Sequence, residues 1–177
     1  MTPGEMAQLL AKIIELDPKY KALQFDYADD DNVRLQSRPP ATLGALTQLA
    51  ARFPQGQLPP SYAQLLLIHD GIKNFNFVDK SLLSIEDLLY LGDDGRTQRE
   101  AEKEPDMIFF IVGTAWNGVA FDRKTVRPDG EMDVVRFNKT GATRRWKTLP
   151  EFLLWYLEWL EKEYAKALAD RKNLEDT

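Results

Sequence analysis

The chain has 177 residues, a formal net charge of −5 and no cysteine. A chain of this length is typical of one domain with its own core, and the lack of cysteine excludes disulfides, thiolate metal sites and cysteine nucleophiles. No apolar run approaches the roughly 20 residues of a membrane-spanning helix, and residues 1–11 lack the basic start and apolar core of a signal peptide. We therefore expect a soluble, cytoplasmic protein with a single domain over residues 1–177.

The first helix is predicted at the start of the chain. Residues 3–16 carry apolar side chains at helical spacing, with polar side chains opposite. We expect Asp17-Pro18 to end this helix, because proline restrains the residue before it and removes a backbone donor. Residues 19–41 have little pattern, and Asp29–Asp31 within them is typical of an exposed loop.

Two further helices are predicted after Pro39-Pro40. Thr42 is suited to the N-cap of the first of them, whose apolar face runs to Phe53. The next is expected to begin at Pro59-Pro60, since proline is favoured in the first helical turn, where its missing N–H has no intrahelical partner. Gly71 suits the left-handed position that follows a helix.

Residues 74–106 combine short elements with a charged stretch. The alternation of Phe within Asn74–Val78 indicates a strand. Ser84 is suited to cap a short helix that continues to Leu89. Residues 93–106 are densely charged and are predicted to form either a loop or a frayed helix.

The centre of the predicted fold is an antiparallel meander of three strands within Met107–Asn138. Asn117-Gly118 separates the first two strands and is the strongest short-range hairpin signal, because both turn residues need positive φ. Pro128-Asp129-Gly130 marks the second turn. Helices precede the meander, and a long helix capped by Thr148 follows it. This order predicts a segregated α+β domain.

Two tryptophans of the last helix widen its apolar face. Trp155 and Trp159 lie four residues apart, to one side of that face. Packing against another helix of the chain, such as the first, explains them. The alternative is a patch for a protein partner or a second copy, because Trp is enriched at binding hot spots. We expect a monomer or a weak dimer.

Residues 123–147 form a basic segment in an acidic chain. They carry eight Lys or Arg against three Asp or Glu, so the segment is +5 and the remainder of the chain is −10. Basic residues interleaved with Phe137 and Trp146 are compatible with single-stranded nucleic acid. The negative net charge opposes this, since phosphate binding depends on long-range charge. We therefore expect no nucleic-acid partner.

His69 is the single histidine of the chain and is expected to end a helix. Without cysteine or a second histidine, a metal site would depend on carboxylates alone. Ser84, His69 and Asp70 provide the residue types of a catalytic triad, but no Gly-x-Ser-x-Gly elbow accompanies them. No glycine-rich phosphate loop is present either. We expect no catalytic residue, no metal and no cofactor.

Three carboxylates lie on or between the meander strands: Asp122, Glu131 and Asp133. A pair of carboxylates flanking a cleft can act as acid and base, which would make the protein a hydrolase. Residues of this kind more often face solvent or pair with nearby arginines, such as Arg123 and Arg136.

Several motifs, in this order, resemble the SUKH superfamily, the Smi/Knr-like fold of fungal cell-wall-assembly regulators and many bacterial immunity proteins. The resemblance rests on Leu58-Pro59 with Tyr62, Leu65 and Leu66, on Asp70-Gly71, on the leucine- and serine-rich Leu82–Leu88, on Ile111-Val112-Gly113, on Phe121-Asp122 and on Thr148–Leu153. It covers about residues 42–160 and leaves 1–41 as an N-terminal helical extension.

The resemblance implies both a fold and a role. The family fold is α+β: a curved, mainly antiparallel sheet, here including the meander over 107–138, with helices packed on one side and a long C-terminal helix. Bacterial members are immunity proteins of the cytoplasm that bind a cognate toxin domain, often a nuclease or deaminase, and block it. The alternative is a Smi/Knr-like regulatory scaffold that binds another cellular protein. The family is not known for catalysis.

The toxin is expected to contact residues in loops and turns or on the sheet. If the toxin is a basic nuclease, acidic side chains there would steer the encounter and mimic the phosphates of the nucleic-acid substrate. We predict the following contact residues: Asp93, Asp94, Trp116, Asn117 and Glu131.

Overall fold

A computed structural model describes residues 1–24, 35–73, 80–89, 106–113, 118–138 and 140–175. The helices are α1 (Pro3–Gln24), α2 (Leu43–Ala50), α3 (Pro60–Ile68), α4 (Ile85–Leu89) and α5 (Leu149–Glu175). The strands are β1 (Gln36–Ser37), β2 (Ile72–Lys73), β3 (Lys80–Leu82), β4 (Met107–Gly113), β5 (Gly118–Asp122), β6 (Val134–Asn138) and β7 (Gly141–Trp146). Single 3-10 turns lie at Pro54–Gly56 and Arg123–Thr125. The predicted α+β class is confirmed.

The described strands form one antiparallel sheet in which each strand pairs with the next along the chain, from β1 to β7. β4, β5 and β6 are the predicted meander. The sheet continues beyond it with β1 to β3 on one side and β7 on the other. These additional strands are very short or, in β7, mostly exposed, so they lack the apolar alternation that identifies a strand in a sequence.

The main core lies between one face of the sheet and the helices. Its centre is aromatic: the ring centroids of Phe110 and Phe121 are 4.3 Å apart, and the Tyr62 ring of α3 lies 5.0 Å from Phe121. Successive side chains of a strand point to opposite faces, so Ala120 joins a smaller apolar cluster on the other face, with Val135 and Phe137. The helices therefore cover one side of the sheet, as the resemblance implied.

α1 runs through Pro18 to Gln24, so the prediction that Asp17-Pro18 ends the first helix is wrong. Proline inside a helix removes one backbone hydrogen bond and costs about 3 kcal/mol in isolation. α1 packs along α5, where Tyr20 meets the Trp159 ring edge-on at 5.8 Å. This packing stabilises α1 enough to offset the hydrogen bond that is lost at Pro18.

A buried ion pair lies where α1 meets α5. Lys21 Nζ is 2.5 Å from Asp17 Oδ2, and the side chains are 3% and 2% exposed. The Tyr156 hydroxyl of α5 donates to Asp17 Oδ1 at 2.6 Å. The two helices are therefore joined by a polar contact as well as by the packing of Tyr20 on Trp159.

The predicted helix caps are present. Thr42 accepts from Ala45 N at 3.2 Å and Thr148 accepts from Glu151 N at 3.3 Å, while Ser84 accepts from Asp87 N at 3.1 Å. The Pro128-Asp129-Gly130 turn closes with a 2.9 Å bond from Gly130 N to Arg127 O.

Some sequence predictions fall on residues that are not described. The strand predicted over Asn74–Val78, the turn residue Asn117 and nearly all of 93–106 lie outside the described residues. Gly118 is described: it begins β5 and lacks the positive φ that the predicted Asn117-Gly118 turn requires, so the prediction that Gly118 is a turn residue is wrong. Among the described helices, none combines the length and the apolar character required to cross a membrane.

Candidate functional site

The predicted contact residue Glu131 binds the start of a helix. Its carboxylate accepts from Ser61 N at 2.7 Å and from Ser61 Oγ at 2.8 Å. Ser61 lies in the first turn of α3, where backbone N–H groups have no intrahelical acceptor, so Glu131 caps this helix from a distant loop. The other predicted contact residues lie outside the described residues: Asp93, Asp94, Trp116 and Asn117.

The candidate triad residues instead hold α4 in place. Asp70 Oδ1 accepts from Ile85 N at 2.7 Å, and Ser84 Oγ bonds to Asp87 Oδ2 at 2.7 Å. Ser84 is fully buried. The serine hydroxyl and the Asp70 carboxylate therefore serve the N-terminus of α4 and are not aligned through His69.

The face of the sheet opposite the helices carries a charged cluster, which we call the carboxylate cluster. It consists of Asp122, Arg127, Asp133, Arg145 and Lys147. Arg145 Nη1 bridges the two carboxylates, at 2.7 Å from Asp122 Oδ2 and 3.2 Å from Asp133 Oδ2. Both aspartates are buried. A buried carboxylate needs such partners because its desolvation is costly.

Each oxygen of the two aspartates has a donor within the chain. Asp122 Oδ1 accepts from Lys124 N at 3.0 Å, and Asp133 Oδ1 accepts from Arg127 Nη1 at 3.0 Å. Hydrogen bonding to Asp122 is the largest influence that raises the pKa of the Arg145 guanidinium. The cluster is thus a satisfied ionic network rather than an acid and a base open to a substrate.

The arginines predicted to pair with these carboxylates have other contacts. Arg123 Nη2 donates to Arg52 O at 3.2 Å, and the Arg136 guanidinium lies over the Trp155 ring at 5.9 Å. The expectation that carboxylates of the meander pair with nearby arginines is confirmed for Asp122 and Asp133, but Arg123 and Arg136 are not the partners. Arg127 and Arg145 take that place because their strand and turn positions bring them to the face of Asp122.

A second group of side chains lies on the helix side of the sheet, beside β7. We call it the arginine–tryptophan surface: Arg136, Arg144, Trp146 and Trp155. The Arg144 guanidinium lies 4.7 Å from the Trp155 ring centroid and 5.3 Å from that of Trp146. The two indole rings are 4.8 Å apart. Contacts of this kind contribute about 0.5–1 kcal/mol each at exposed sites.

The two tryptophans predicted to pack against another helix have different surroundings. Trp159 packs against Tyr20 of α1, as expected. Trp155 instead contacts Trp146 of β7 and lies under Arg144. The basic stretch 134–147, with its single tryptophan, is the feature of the sequence that indicates this surface. It does not predict which arginines lie next to each other in the fold.

The described part of the chain contains no group of three His, Asp or Glu side chains arranged to hold a metal ion. A scan of the chain against protein-family models found no match, and a search of curated protein sequences found none either.

Proposed function

We propose that this protein is an inhibitory binding protein: an immunity protein of the SUKH kind that binds a cognate bacterial toxin domain, for example a nuclease, and covers its active site. One observation carries the proposal. The described side chains that we considered as catalytic candidates form hydrogen bonds within the chain. Ser84, Asp70 and Glu131 do so at the starts of helices, and Asp122 and Asp133 do so in the carboxylate cluster. A function that depends on binding at the protein surface is compatible with this arrangement.

Occlusion requires only that the inhibitor present a stable face of sufficient size. A stable complex buries about 800 Å² on each partner. The capped helices and the bridged carboxylates fix the surface before binding, which reduces the conformational entropy lost on association. This support is independent of the resemblance to immunity proteins, which supplies the kind of partner.

The test is co-expression with the toxin domain encoded beside the gene for this protein. We expect growth of cells that express the toxin to be restored, and the two purified proteins to elute together from a size-exclusion column. Titration should abolish toxin activity at one inhibitor per toxin, because a binding protein is consumed as it acts.

Two outcomes contradict the proposal. No complex and no rescue of growth would remove it. Loss of toxin activity at a small fraction of one equivalent, with modified toxin detected by mass spectrometry, would mean that this protein acts as an enzyme. A complex with a cellular protein that is not a toxin would favour the regulatory scaffold.

A further inference from the structure

β7 is an edge strand within the described sheet, because it pairs with β6 and is the last strand in the order. Four consecutive residues of β7, Ala142 to Arg145, are exposed. An edge strand presents backbone N–H and C=O groups that another extended segment can pair with. Proteins either block such edges or use them for binding.

The charge beside this edge is one-sided. Residues 134–147 contain five Lys or Arg and no Asp or Glu. Arg136 and Arg144 stand directly opposite each other in the β6–β7 register, and both guanidinium groups reach Trp155. Like charges directly opposite on neighbouring strands are destabilising. Among the described residues, no carboxylate lies within ion-pair distance of either guanidinium.

We propose that the β7 edge and the arginine–tryptophan surface form a docking site for an extended, acidic segment of a protein partner. The segment adds to the sheet as a further strand and places a carboxylate between Arg136 and Arg144. This inference rests on the proposed function in one respect, since the segment would belong to the toxin. Main-chain pairing provides affinity in such complexes, and alternate side chains provide selectivity.

The geometry defines the pattern of the partner. β7 has six residues, so it accommodates a segment of about six residues at roughly 3.3 Å each. On the face of Trp155, the position opposite Arg144 calls for Asp or Glu. On the other face, Arg145 is already bonded to Asp122, so an acid there contributes less. Acidic residues should therefore favour one face of the bound strand.

A protein segment fits this surface better than a nucleic acid. Base stacking needs an open aromatic face, and the Trp155 ring is already in contact with Arg144 and Trp146. The Trp146 side chain is buried.

The experiment selects binders from a random-peptide phage library against the intact protein. We expect the enriched peptides to combine strand-forming residues with Asp or Glu on alternate positions. Synthetic versions should bind about tenfold more weakly to the double variant Arg136→Gln, Arg144→Gln, which lacks both guanidinium groups. Binding should slow hydrogen exchange of the β7 amides.

The matched control is the double variant Lys12→Gln, Lys162→Gln, which makes the same change in net charge at exposed positions of α1 and α5. It should bind the peptides as the unmodified protein does. The inference is overturned if the selected peptides are not enriched in Asp or Glu, or if the arginine variant binds them as tightly as the unmodified protein does. The arginines would then serve only to prevent edge-to-edge association. Tighter binding of oligothymidylate than of any peptide also overturns it.

The toxin complex separates this inference from the proposed function. A toxin that binds the Arg136→Gln, Arg144→Gln variant as tightly as the unmodified protein would retain the proposed function and remove the docking site. A toxin that binds neither protein removes the proposed function, while acidic peptides that protect β7 retain the docking site for another partner.

Discussion

At the scale of single residues, Gly71 determines how closely the end of α3 approaches the start of α4. Its φ is +90°, a backbone conformation that residues with a Cβ rarely adopt. A Cβ at this position would lie 2.7 Å from Ser84 N and 2.9 Å from Ser84 Cα. Gly71 O also accepts from Arg38 N at 3.0 Å, next to β1. The glycine thus permits three segments to meet.

We expect Gly71→Ala to lower the free energy of unfolding by about 2–3 kcal/mol, since both the backbone angle and the contact with Ser84 oppose a methyl group. The control is Gly44→Ala in α2, where a Cβ would meet nothing within 4 Å. It should leave stability unchanged or raise it by about 0.5–1 kcal/mol. Urea denaturation measures both, and equal effects would refute the explanation.

At the scale of elements, the helices differ in how far along the sequence the capping residue lies from the helix that it caps. α2, α4 and α5 are capped by Thr42, Ser84 and Thr148, each bonded to a residue three positions later. α3 begins with proline and takes its acceptor from Glu131, which is 70 residues away. The first three caps are visible in a sequence. The fourth exists only after the meander has folded against α3.

Glu131→Ala should lower the free energy of unfolding by about 1–3 kcal/mol, because the variant leaves the Ser61 N–H and hydroxyl without their charged acceptor. Glu158→Ala, an exposed site on α5, should change it by less than about 0.5 kcal/mol. Denaturant midpoints compare the two. A Glu131 variant as stable as the Glu158 variant would contradict the capping role.

Glu131 also remains a predicted contact residue for the toxin. The two roles can be separated by measuring toxin affinity at a temperature where the Glu131→Ala variant is fully folded. Reduced affinity under those conditions would support the contact role, and unchanged affinity would leave Glu131 with the cap alone.

At the scale of the whole molecule, α1 is joined to the last helix by Asp17, Lys21 and Tyr156. A buried ion pair is not in itself strongly stabilising, since the desolvation of two charges offsets their attraction. Removing one member leaves the other charge buried without compensation, which costs about 3–5 kcal/mol. The pair therefore makes the α1–α5 arrangement sensitive to single changes.

Lys21→Met should lower the free energy of unfolding by about 3–5 kcal/mol, because Asp17 then stays buried without its cation. The control is Lys19→Met on the same helix, where the ion pair with Glu15 has the same spacing but is 51% and 71% exposed. It should change stability by less than about 1 kcal/mol. Adding Asp17→Asn to Lys21→Met should recover part of the loss, and thermal unfolding of all four proteins tests this.

Local signals in the sequence identified much of the described fold. Cap residues, the Pro128-Asp129-Gly130 turn and the apolar runs of β4 and β5 depend on residues within a few positions of one another, so they can be read from the chain. The basic stretch that includes β7 was also evident, and with it part of the candidate site.

The tertiary structure alone decided the remaining features, because each depends on residues far apart in sequence. α1 continues past Pro18 because α5 packs beside it, and Glu131 caps a helix that ends long before it in the chain. The register of β6 with β7 shifts after Arg136, which places Arg136 opposite Arg144. Composition and order along the chain determined the α+β class and the basic segment, whereas strand pairing determined which charges meet.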